Sequence, residues 1–413
     1  MNKLDLISMA EKAKNAINDL LNEQTRRLTL NAIAENLIKY SNEILLANSI
    51  DVENAKQNGL SASLIDRLTL NKDRIEGIKN SVLEVANLPS PLKTEDKFVH
   101  KNGMIIEKTR VPMGVIAMIY EARPNVTVDA SCLCLMSGNA VILRGGKEAI
   151  NTNISLVKYI KLALSSVGVN ENAVNLISDT SYETAETLMS LKGYIDLLIP
   201  RGSKRLIDKV TSTSKIPVIE TGAGNCHTYV EKTADLSVAT KVIINAKTSR
   251  PSVCNAMEKL LVDSEIAGTF LPMIKTALNA YNVEIRGCEK VTKILKDVTL
   301  ATDDDWFTEY NDFILSIKIV DNYVEAVNHI NKYGTKHSEC IITENEDIGR
   351  FFTENVDASA VYINASTRFT DGGEFGLGAE IGISTQKLHA RGPFALDALT
   401  TTKYVIYGNG QTR

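Results

Sequence analysis

The stretch GVIAMIYEARPNVTVDASCLCLMSGNAVIL, residues 114–143, decides the fold class of this chain. Its two ends, 114–120 and 140–143, are short apolar runs rich in β-branched residues, whereas residues 126–137 between them have the length and pattern of a helix. Two apolar strands joined by such a helix predict a parallel pair with a crossover connection. The chain is therefore expected to be an α/β protein.

The same alternation continues along the chain in two series, which meet near residues 222–226. In the first series, further strands are predicted at 174–177, 195–199 and 218–219, with helices over 147–166, 182–191 and 202–214. In the second, strands are predicted at 228–230 and 259–262 and near residues 298, 315, 341 and 361, with helices over 235–248 and 265–280. Short apolar runs separated by helices predict two doubly wound parallel-sheet domains.

Three segments lie outside this alternation. Apolar residues recur at helical spacing across residues 4–90, where one helix is expected to begin at Ser63 or, alternatively, at Ser61. Lys101-Asn102-Gly103 separates two short apolar runs, and Asn-Gly is a strong hairpin signal. The stretch 403–407 has the composition of a strand, with no helix after it. Because an isolated hairpin is marginally stable at best, we expect it to pair with another strand.

The composition argues against several classes of protein. The chain has 413 residues, enough for two or more domains, and 44% hydrophobic with 23% charged residues is ordinary for a globular protein. A net charge of −4 argues against nucleic acid or an acidic membrane as the main partner. No apolar run approaches the roughly 18 to 20 residues that span a bilayer, and no signal-peptide core is evident. Because the 6 cysteines lack disulfide-framework spacing, a cytoplasmic protein is expected.

Cys254 is the strongest candidate for a catalytic residue. It lies in the run TSRPSVCN, residues 248–255, where polar and cationic neighbours precede an apolar stretch. The thiolate is the reactive form of a cysteine, and a nearby cation favours it. Glu220 ends a short apolar strand and opens the glycine-rich turn at 222–224. A thiol and a carboxylate, each at the end of an element, predict covalent catalysis with a positioned acid or base.

Other eye-catching residues have ordinary structural explanations. Most intracellular cysteines are buried hydrophobes, and Cys132 and Cys134 lie in a predicted apolar helix, where residues two apart do not face each other. Since no cysteine or histidine stands at zinc-ligand spacing from them, we expect no metal site. His329 and His337 are interpreted as part of a helix end and turn with local hydrogen bonds, and Trp306 as a core residue.

Two strand–turn–helix junctions are candidate anion sites. The run RGGK, residues 144–147, follows the strand at 140–143 and opens a helix, and Gly202-Ser203 repeats this arrangement. Backbone N–H groups at a helix start bind phosphate, and Arg and Lys add positive charge. A plain turn that uses glycine for tightness is an equally good interpretation, because neither run is a dinucleotide-binding fingerprint.

Asn125 follows Arg123-Pro124 at the start of a predicted helix. Its amide could donate a hydrogen bond to a developing oxyanion, or its side chain could cap the helix. From the residues alone, the cap is the better interpretation.

Six stretches together resemble the aldehyde dehydrogenase family and, within it, the gamma-glutamyl phosphate reductases, also called glutamate-5-semialdehyde dehydrogenases. They are residues 111–116, 120–127, 138–146, 220–222, 250–255 and 320–341. The last of these, which contains both histidines, is characteristic of the reductases. The resemblance covers nearly the whole chain and implies an aldehyde-dehydrogenase-like α/β fold.

The resemblance implies a role for each catalytic candidate. Cys254 matches the nucleophile, and Asn125 matches the oxyanion-hole amide, which reverses the preference for a helix cap. Glu220 matches the base that activates water in hydrolytic relatives.

The resemblance also implies binding residues and a cofactor, NADP(H). The positions that match cofactor contacts are Arg144, Gly145, Gly146, Lys147, Gly202, Ser203 and Glu309. Arg250, Arg123 and Lys247 are candidates for binding the substrate only because they lie close to these motifs in the sequence. No metal is implied.

The implied activity is NADPH-dependent reduction of L-glutamyl 5-phosphate to L-glutamate 5-semialdehyde and phosphate, through a cysteine thioester, in proline biosynthesis. Two alternatives stay open: a hydrolytic aldehyde dehydrogenase that acts on another aldehyde, and a catalytically silent nucleotide-binding protein of the same fold.

The resemblance further implies an organisation into domains and subunits. Residues 1–224 would form a Rossmann-like cofactor-binding domain with an oligomerisation hairpin at about 96–110, residues 225–396 the catalytic domain, and residues 397–413 an oligomerisation strand. Hairpin and strand would pair across the interface of a homo-oligomer, a dimer or tetramer. The substrate is a small molecule, and glutamate 5-kinase is a further candidate partner; neither nucleic acid nor membrane is expected.

Overall fold

The computed structural model describes residues 1–413, apart from the side chains of residues 62 and 63. The chain divides into two units: the first comprises Met1–Thr221, Gly376–Gly382 and Phe394–Arg413, and the second comprises Gly222–Phe375 and Ile383–Pro393. The division therefore falls after residue 221 rather than 224, and the expected unbroken second domain, 225–396, needs correction. One reason is that residues 376–382 pack on the first unit, where a Cβ on Gly378 would lie 3.3 Å from the backbone nitrogen of Val85.

Residues 4–90 are helical, as predicted. The five helices are α1 (Lys3–Ala16), α2 (Glu23–Lys39), α3 (Ser41–Gln57), α4 (Ala62–Leu68) and α5 (Lys72–Asn87). Asparagine side chains cap α1, α2 and α5, and Ser61 caps α4 by accepting a hydrogen bond from the backbone N–H of Leu64. The alternative cap, Ser63, lies outside the described side chains.

The predicted hairpin follows the helices. Its strands, β1 (Thr94–Val99) and β2 (Ile105–Pro112), pair in antiparallel fashion. Gly103 adopts a φ of +89° in the turn, and the side chain of Asn102 accepts a hydrogen bond from the backbone N–H of Met104 at 3.2 Å. A positive φ favours glycine, which explains the Asn-Gly signal.

A parallel four-stranded sheet forms the centre of the first unit. Its strands are β3 (Val115–Tyr120), β4 (Ala140–Gly145), β5 (Val174–Leu176) and β6 (Leu197–Arg201), in the order β5-β4-β3-β6. The helices along this part of the chain are α6 (Pro124–Met136), α7 (Ile150–Ser166), α8 (Tyr182–Met189) and α9 (Lys204–Thr213). The strand predicted at 218–219 is reduced to a single parallel bridge between Val218 and Leu198. Every residue of β3 is buried, as its apolar sequence requires.

The second unit contains a seven-stranded parallel sheet, in the order β10-β9-β11-β8-β7-β12-β13. Its strands are β7 (Cys226–Val230), β8 (Met257–Asp263), β9 (Glu284–Gly287), β10 (Thr299–Leu300), β11 (Ile314–Val320), β12 (Ser338–Ile342) and β13 (Ala360–Ile363). The helices are α10 (Leu236–Thr248), α11 (Ala267–Asn279), α12 (Glu289–Ile294), α13 (Asp303–Phe307), α14 (Tyr323–Tyr333) and α15 (Glu346–Asn355). Two short strands, β14 (Gly382–Ser384) and β15 (Gly392–Phe394), pair with each other.

The final strand, β16 (Thr400–Tyr407), pairs with β2 of the same chain. The antiparallel register runs from Thr400 opposite Pro112 to Tyr407 opposite Ile105. The expectation that these two segments pair across a subunit interface is therefore wrong, because β16 already occupies that edge of β2 within its own chain. The hairpin is completed to a three-stranded sheet, β1-β2-β16.

The predicted α/β class, with doubly wound parallel sheets, is confirmed. Across the described part of the chain, no helix combines the length and the apolar character needed to cross a membrane.

Candidate active site

Cys254 lies in the turn formed by residues 251–256, between the end of α10 and the start of β8. It is half-buried. Its carbonyl oxygen accepts a hydrogen bond from the thiol of Cys226, the first residue of β7, at 3.2 Å. The turn is therefore attached to the neighbouring strand directly at the candidate nucleophile.

Gly224 makes the closest backbone approach to this turn. A Cβ on Gly224 would lie 1.5 Å from the carbonyl oxygen of Cys254, and real Cβ atoms essentially never come within 3.0 Å of another heavy atom. Gly222 has a similar constraint, since a Cβ there would lie 2.2 Å from Cγ2 of Thr385. The Gly-Ala-Gly run therefore requires glycine for close packing against the nucleophile turn and against Thr385.

A segment after β13 holds the other side of the turn. The amide nitrogen of Asn255 donates to the carbonyl oxygen of Thr370 at 2.9 Å, and the hydroxyl of Thr367 donates to the carbonyl oxygen of Asn255 at 2.7 Å. The guanidinium of Arg368 donates to the side-chain oxygen of Asn255. Neither Thr367 nor Arg368 carries a recognisable motif, so the sequence reasoning missed both.

Glu309 reaches the same region from the loop after α13. Its Oε1 accepts a hydrogen bond from the backbone N–H of Gly224 at 2.7 Å. Next to it, the side-chain amide of Asn225 donates to the carbonyl oxygens of Trp306 and Tyr333 at 2.8 and 2.9 Å. Glu309 therefore supports the glycine run in this structure, and its role toward a cofactor stays a prediction.

Buried polar contacts join β8, which follows this turn, to α10 and to the loop after α13. Lys247 and Glu258 form a buried ion pair at 2.9 Å, and burial raises the pKa of Glu258 to about 7. Burial also lowers the pKa of Lys259 to about 7, and its ammonium donates to the carbonyl oxygen of Thr308 at 2.7 Å and lies over the ring of Tyr310. Such pairs fix strand positions because breaking them would leave a buried polar group without a partner.

The two histidines make local contacts of the kind expected from the sequence, and their structural role stays a prediction. The ring of His329 packs edge-on against Trp306, with centroids 5.4 Å apart, and His337 hydrogen-bonds Ser338 at 2.7 Å. Trp306 is buried, which confirms its prediction as core. Further along the same stretch, Glu339 accepts hydrogen bonds from the backbone N–H and ring of His227. Burial lowers the pKa of His227 to about 3 and raises that of Glu339, so we treat this contact as a hydrogen bond between neutral groups.

Asn125 is the second residue of α6, and its side chain is exposed. The N-cap is Arg123, without a side-chain capping bond, which excludes the cap interpretation of Asn125. Instead, Nδ2 of Asn125 donates to the carboxylate of Asp129, one turn along the helix, at 3.0 Å. This bond uses one of the two N–H groups of the side-chain amide, and the role of an oxyanion donor requires only the other.

Asp129 was not recognised from the sequence. Burial raises the pKa of Asp129 to about 7, and the negative charge of Glu380 adds to this, whereas Asn125 and Arg201 lower it. A carboxyl group with a pKa raised toward neutral, in contact with a candidate oxyanion donor, makes Asp129 a further candidate for the site.

The raised pKa of Asp129 predicts a pH-dependent stability. The folded protein favours the protonated carboxyl, so stability is lost as the pH rises through about 7, where the folded state must carry the charge. Asp129→Asn removes this titration and keeps an acceptor for Asn125. We expect the free energy of unfolding of this variant to exceed that of the wild type by a margin that grows between about pH 4 and 7 and then levels off, an effect on the order of 1–3 kcal/mol.

Calorimetry across this range checks the expectation, with Asp208→Asn, an exposed carboxyl in the same unit, as the control. A difference between wild type and Asp129→Asn that stays constant with pH would contradict it.

The RGGK turn has the close packing of a tight strand–helix junction. A Cβ on Gly145 would lie 2.3 Å from the amide nitrogen of Asn153, and one on Gly146 would lie 2.7 Å from a carboxylate oxygen of Glu148. Arg144 donates to the carbonyl oxygens of Thr180 and Ser181, and burial lowers its pKa. Lys147 is exposed.

The helix start expected to bind phosphate at this turn is already occupied. Residues 147–149 form a short 3₁₀ turn, so α7 begins only at Ile150. The buried carboxylate of Asp51, from α3, accepts hydrogen bonds from the backbone N–H groups of Asn151 and Thr152 at 3.3 and 2.8 Å. An internal carboxylate therefore satisfies the first N–H groups of α7, and the role of residues 144–147 toward a cofactor phosphate stays a prediction.

The Gly202-Ser203 turn also contacts a carboxylate, but an exposed one. The backbone N–H and hydroxyl of Ser203 both donate to Glu121 at 2.8 Å. Glu121 directly follows β3 and lies four residues before Asn125 in the sequence. The donor set at this turn suits an anionic oxygen pair, which a phosphate also provides.

Glu220 follows an extended segment beside β6. The backbone N–H of Ile219 donates to the carbonyl oxygen of Leu198 at 3.1 Å. The hydroxyl of Thr221 donates to the carbonyl oxygen of Pro200, also at 3.1 Å. Glu220 itself is half-buried. Because this segment runs parallel to β6, Glu220 lies at the same sheet edge as the segments that follow β3, β4 and β6.

Comparison with known proteins identifies the family. The model of the aldehyde dehydrogenase family matches residues 4–293, well over half of the chain. The chain belongs to the aldehyde dehydrogenase family. Gamma-glutamyl phosphate reductases from Ligilactobacillus salivarius and Clostridium perfringens are each 54% identical to it over 414 residues, which cover 99% of this chain and 99% of each relative.

Solved structures agree with this assignment. A crystal structure of gamma-glutamyl phosphate reductase from Thermotoga maritima superposes with a TM-score of 0.95 at 48% identity, covering 99% of both chains. An acetylating aldehyde dehydrogenase from Geobacillus thermoglucosidasius, at 17% identity and a TM-score of 0.71, covers 100% of this chain and 98% of that one and shows that the aldehyde dehydrogenase fold is shared.

The predicted site residues of this aldehyde dehydrogenase fall into both units. In the first unit, the candidates at one edge of the parallel sheet are Arg123, Asn125, Arg144, Gly145, Gly146, Lys147, Gly202, Ser203 and Glu220. In the second, Glu309 meets the Cys254 turn through Gly224, and Arg250 is exposed near Arg368. Among the described residues, no group of three or more histidine, cysteine, aspartate or glutamate side chains is arranged to hold a metal ion.

Proposed function

We propose that this chain catalyses the NADPH-dependent reduction of L-glutamyl 5-phosphate to L-glutamate 5-semialdehyde and phosphate, in proline biosynthesis. The observation that carries the proposal is 54% identity to gamma-glutamyl phosphate reductases along 99% of the chain. The close packing of Gly224 against the backbone of Cys254, the candidate nucleophile, supports it. We propose the cytoplasm as the compartment, because the six cysteines lack framework spacing and fit a reducing environment.

Cys254 would begin the reaction as a thiolate. Its sulfur attacks the acyl carbon, a carbon–sulfur bond forms, and the carbon–oxygen bond to phosphate breaks, with phosphate leaving with the electron pair. The thioester that remains on Cys254 is the species that accepts a hydride, which NADPH supplies when bound. Collapse of the resulting thiohemiacetal releases the aldehyde and restores the thiolate.

Asn125 and the backbone N–H of Cys254 are proposed to donate hydrogen bonds to the oxyanion in both tetrahedral species. Loss of one such donor typically costs about a hundred- to a thousandfold in rate. The contact of Asn125 with Asp129 supports this role, because it orients the amide. Glu220 would matter less than in hydrolytic relatives, since phosphate rather than water is the leaving or attacking group. Arg123 and Arg250 are proposed to contact the substrate.

Three groups of residues are proposed to contact three parts of the cofactor, and the structure supports some of these contacts more directly than others. Ser203 and Gly202 suit the pyrophosphate because the turn already binds the anionic oxygens of Glu121. Glu309 is proposed to hold the nicotinamide ribose. Arg144 and Lys147, with the close turn of Gly145-Gly146, are proposed to favour the 2′-phosphate of NADPH, although the neighbouring carboxylate of Glu148 opposes it.

Arg144 gives this cofactor proposal a test. If its guanidinium binds the 2′-phosphate, Arg144→Ala removes a charge-assisted hydrogen bond of about 1.5–3 kcal/mol, so the KM for NADPH rises about tenfold or more. The KM for NADH stays nearly unchanged, because NADH lacks that phosphate. Steady-state kinetics with both cofactors check this. Equal losses would show that Arg144 acts only through its contacts with Thr180 and Ser181.

A spectrophotometric assay with the semialdehyde and NADP, with and without phosphate, tests the function itself. We expect NADP reduction only when phosphate is present. Equal rates without phosphate would favour the hydrolytic alternative, for which Glu220 provides a base. No turnover, together with an unreactive Cys254, would favour the catalytically silent alternative.

The division of labour within the protein is also a proposal. The first unit would bind the cofactor, the second would carry the nucleophile, and the sheet β1-β2-β16 would serve assembly into a dimer or tetramer. All residues of β1 are exposed, and so are Tyr404, Ile406 and Tyr407 of β16, which leaves apolar surface for a second copy of the sheet. Only monomer mass in light scattering at micromolar concentration would contradict this. Association with glutamate 5-kinase is proposed because an acyl phosphate is unstable in water.

A further inference from the structure

Arg368 has no role in the reaction outlined above, yet it borders the nucleophile turn at both ends. It lies in the short 3₁₀ turn Thr367–Phe369, after β13. Its Nε donates to the hydroxyl of Ser249 at 3.1 Å, at the end of α10, and its Nη1 donates to the side-chain oxygen of Asn255. Since Cys254 lies between these two partners in the sequence, the guanidinium runs alongside the turn.

A second guanidinium acts on Arg368. Burial is the largest cause of the lowered pKa of Arg368 and the positive charge of Arg250 is the next, whereas Asp371, Cys254 and Glu374 each raise this pKa by a smaller amount. Two guanidinium groups therefore repel each other close to the thiol. A bound anion would relieve this repulsion.

We infer that Arg368, assisted by Arg250, binds the phosphoryl group of the acyl phosphate next to Cys254. This rests on the proposed function. A guanidinium has five N–H groups in one plane, and the two anchoring bonds use one on Nε and one on Nη1. The remaining edge can donate in bidentate fashion to phosphate oxygens.

The phosphoryl group is a better match than the α-carboxylate of the same substrate. The phosphate oxygen is bonded to the acyl carbon that Cys254 attacks, whereas the α-carboxylate lies at the far end of the carbon chain. Arg368 is anchored to the residue that follows Cys254, so it lies near the reacting end. As the carbon–oxygen bond breaks, negative charge grows on the departing phosphate, and Arg368 would stabilise that charge. Arg368 would thereby select acyl phosphates over unactivated carbonyl substrates.

Kinetics in the oxidative direction test the inference, because phosphate is then a separate substrate. Arg368→Gln should raise the KM for inorganic phosphate about tenfold or more, while the KM values for the semialdehyde and NADP stay within about twofold. Arg368→Lys should lie between Arg368→Gln and the wild type. Arg350→Gln, at an exposed arginine of α15 in the same unit, is the matched control and should leave all three constants unchanged.

Two other results would overturn it. A rise in the KM for the semialdehyde, with that for phosphate unchanged, would assign Arg368 to the α-carboxylate. Unchanged constants for both would leave Arg368 a loop contact. If the wild type turns over without phosphate, the proposed function fails as a whole; if it requires phosphate and Arg368→Gln keeps the wild-type phosphate KM, only the present inference fails.

A binding measurement decides the case even if Arg368→Gln fails to fold. Inorganic phosphate should slow alkylation of Cys254 by iodoacetamide in the wild type, and this protection should weaken about tenfold or more in Arg368→Lys or Arg368→Gln. Absence of phosphate protection in the wild type, or full protection in a folded variant, would overturn the inference.

Discussion

Cys254→Ala is expected to lower kcat by at least about ten-thousandfold, because removing a catalytic nucleophile abolishes the covalent route. The fold should persist, since Cys254 is half-buried and the contact with Cys226 uses its backbone carbonyl rather than its thiol. Steady-state kinetics on the purified variant, with a thermal melt to verify folding, provide the measurement.

Cys288→Ala is the matched control, since Cys288 is also half-buried and lies at the start of α12 in the same unit. It should retain wild-type turnover. Iodoacetamide should inactivate both the wild type and Cys288→Ala, with substrate protecting each, and peptide mapping should find the alkyl group on Cys254. Substantial turnover by Cys254→Ala would refute the assignment of the nucleophile.

The second large effect is expected from Gly224→Ala. The added methyl group would lie 1.5 Å from the carbonyl oxygen of Cys254, so either the Gly-Ala-Gly run or the nucleophile turn must move. A displacement of about an ångström at a reacting group can cost about a hundredfold in rate. Overpacking typically costs about 1–3 kcal/mol of stability. We therefore expect kcat to fall at least about a hundredfold and the melting temperature to fall with it.

Gly268→Ala provides the control for this substitution. Gly268 lies within α11, and a Cβ there would meet no atom within 4 Å. Because alanine is the better helix former, we expect unchanged turnover and a stability equal to or slightly above that of the wild type. If Gly224→Ala keeps wild-type turnover, the close approach does not position Cys254.

The fold was readily predicted where one local pattern dominates. The strands β3 and β4 are uninterrupted apolar runs, and parallel strands buried on both faces require that composition. The strand β9 was not predicted because its four residues contain no apolar run. Only one large apolar residue, Ile285, is present, and it lies between two charged residues. At residues 218–219 a strand was predicted, but only a single bridge forms. Two adjacent apolar residues do not reveal how many hydrogen bonds to a neighbouring strand will follow.

Candidate site residues could be proposed from the sequence only where motifs are local, and their roles stay predictions. Cys254 and Asn125 stand in recognisable runs, although the residues alone favoured a cap for Asn125, because capping and oxyanion roles use the same residue type at the same helix end. Arg368, Asp51 and Glu121 contribute through contacts between segments far apart in sequence. No local pattern reveals that a carboxylate from another element already satisfies a helix start.

The pairing of β16 with β2 also sets an order for folding during synthesis. The main body of the second unit, residues 222–375, is continuous and leaves the ribosome before residues 394–413 do. The first unit begins earlier but cannot complete its three-stranded sheet until β16 has been translated and has returned to β2. Contacts of such sequence separation form slowly, because a long chain must be closed first. On the ribosome, the first unit would therefore wait with one edge of β2 open, a surface on which chaperones or aggregation could act.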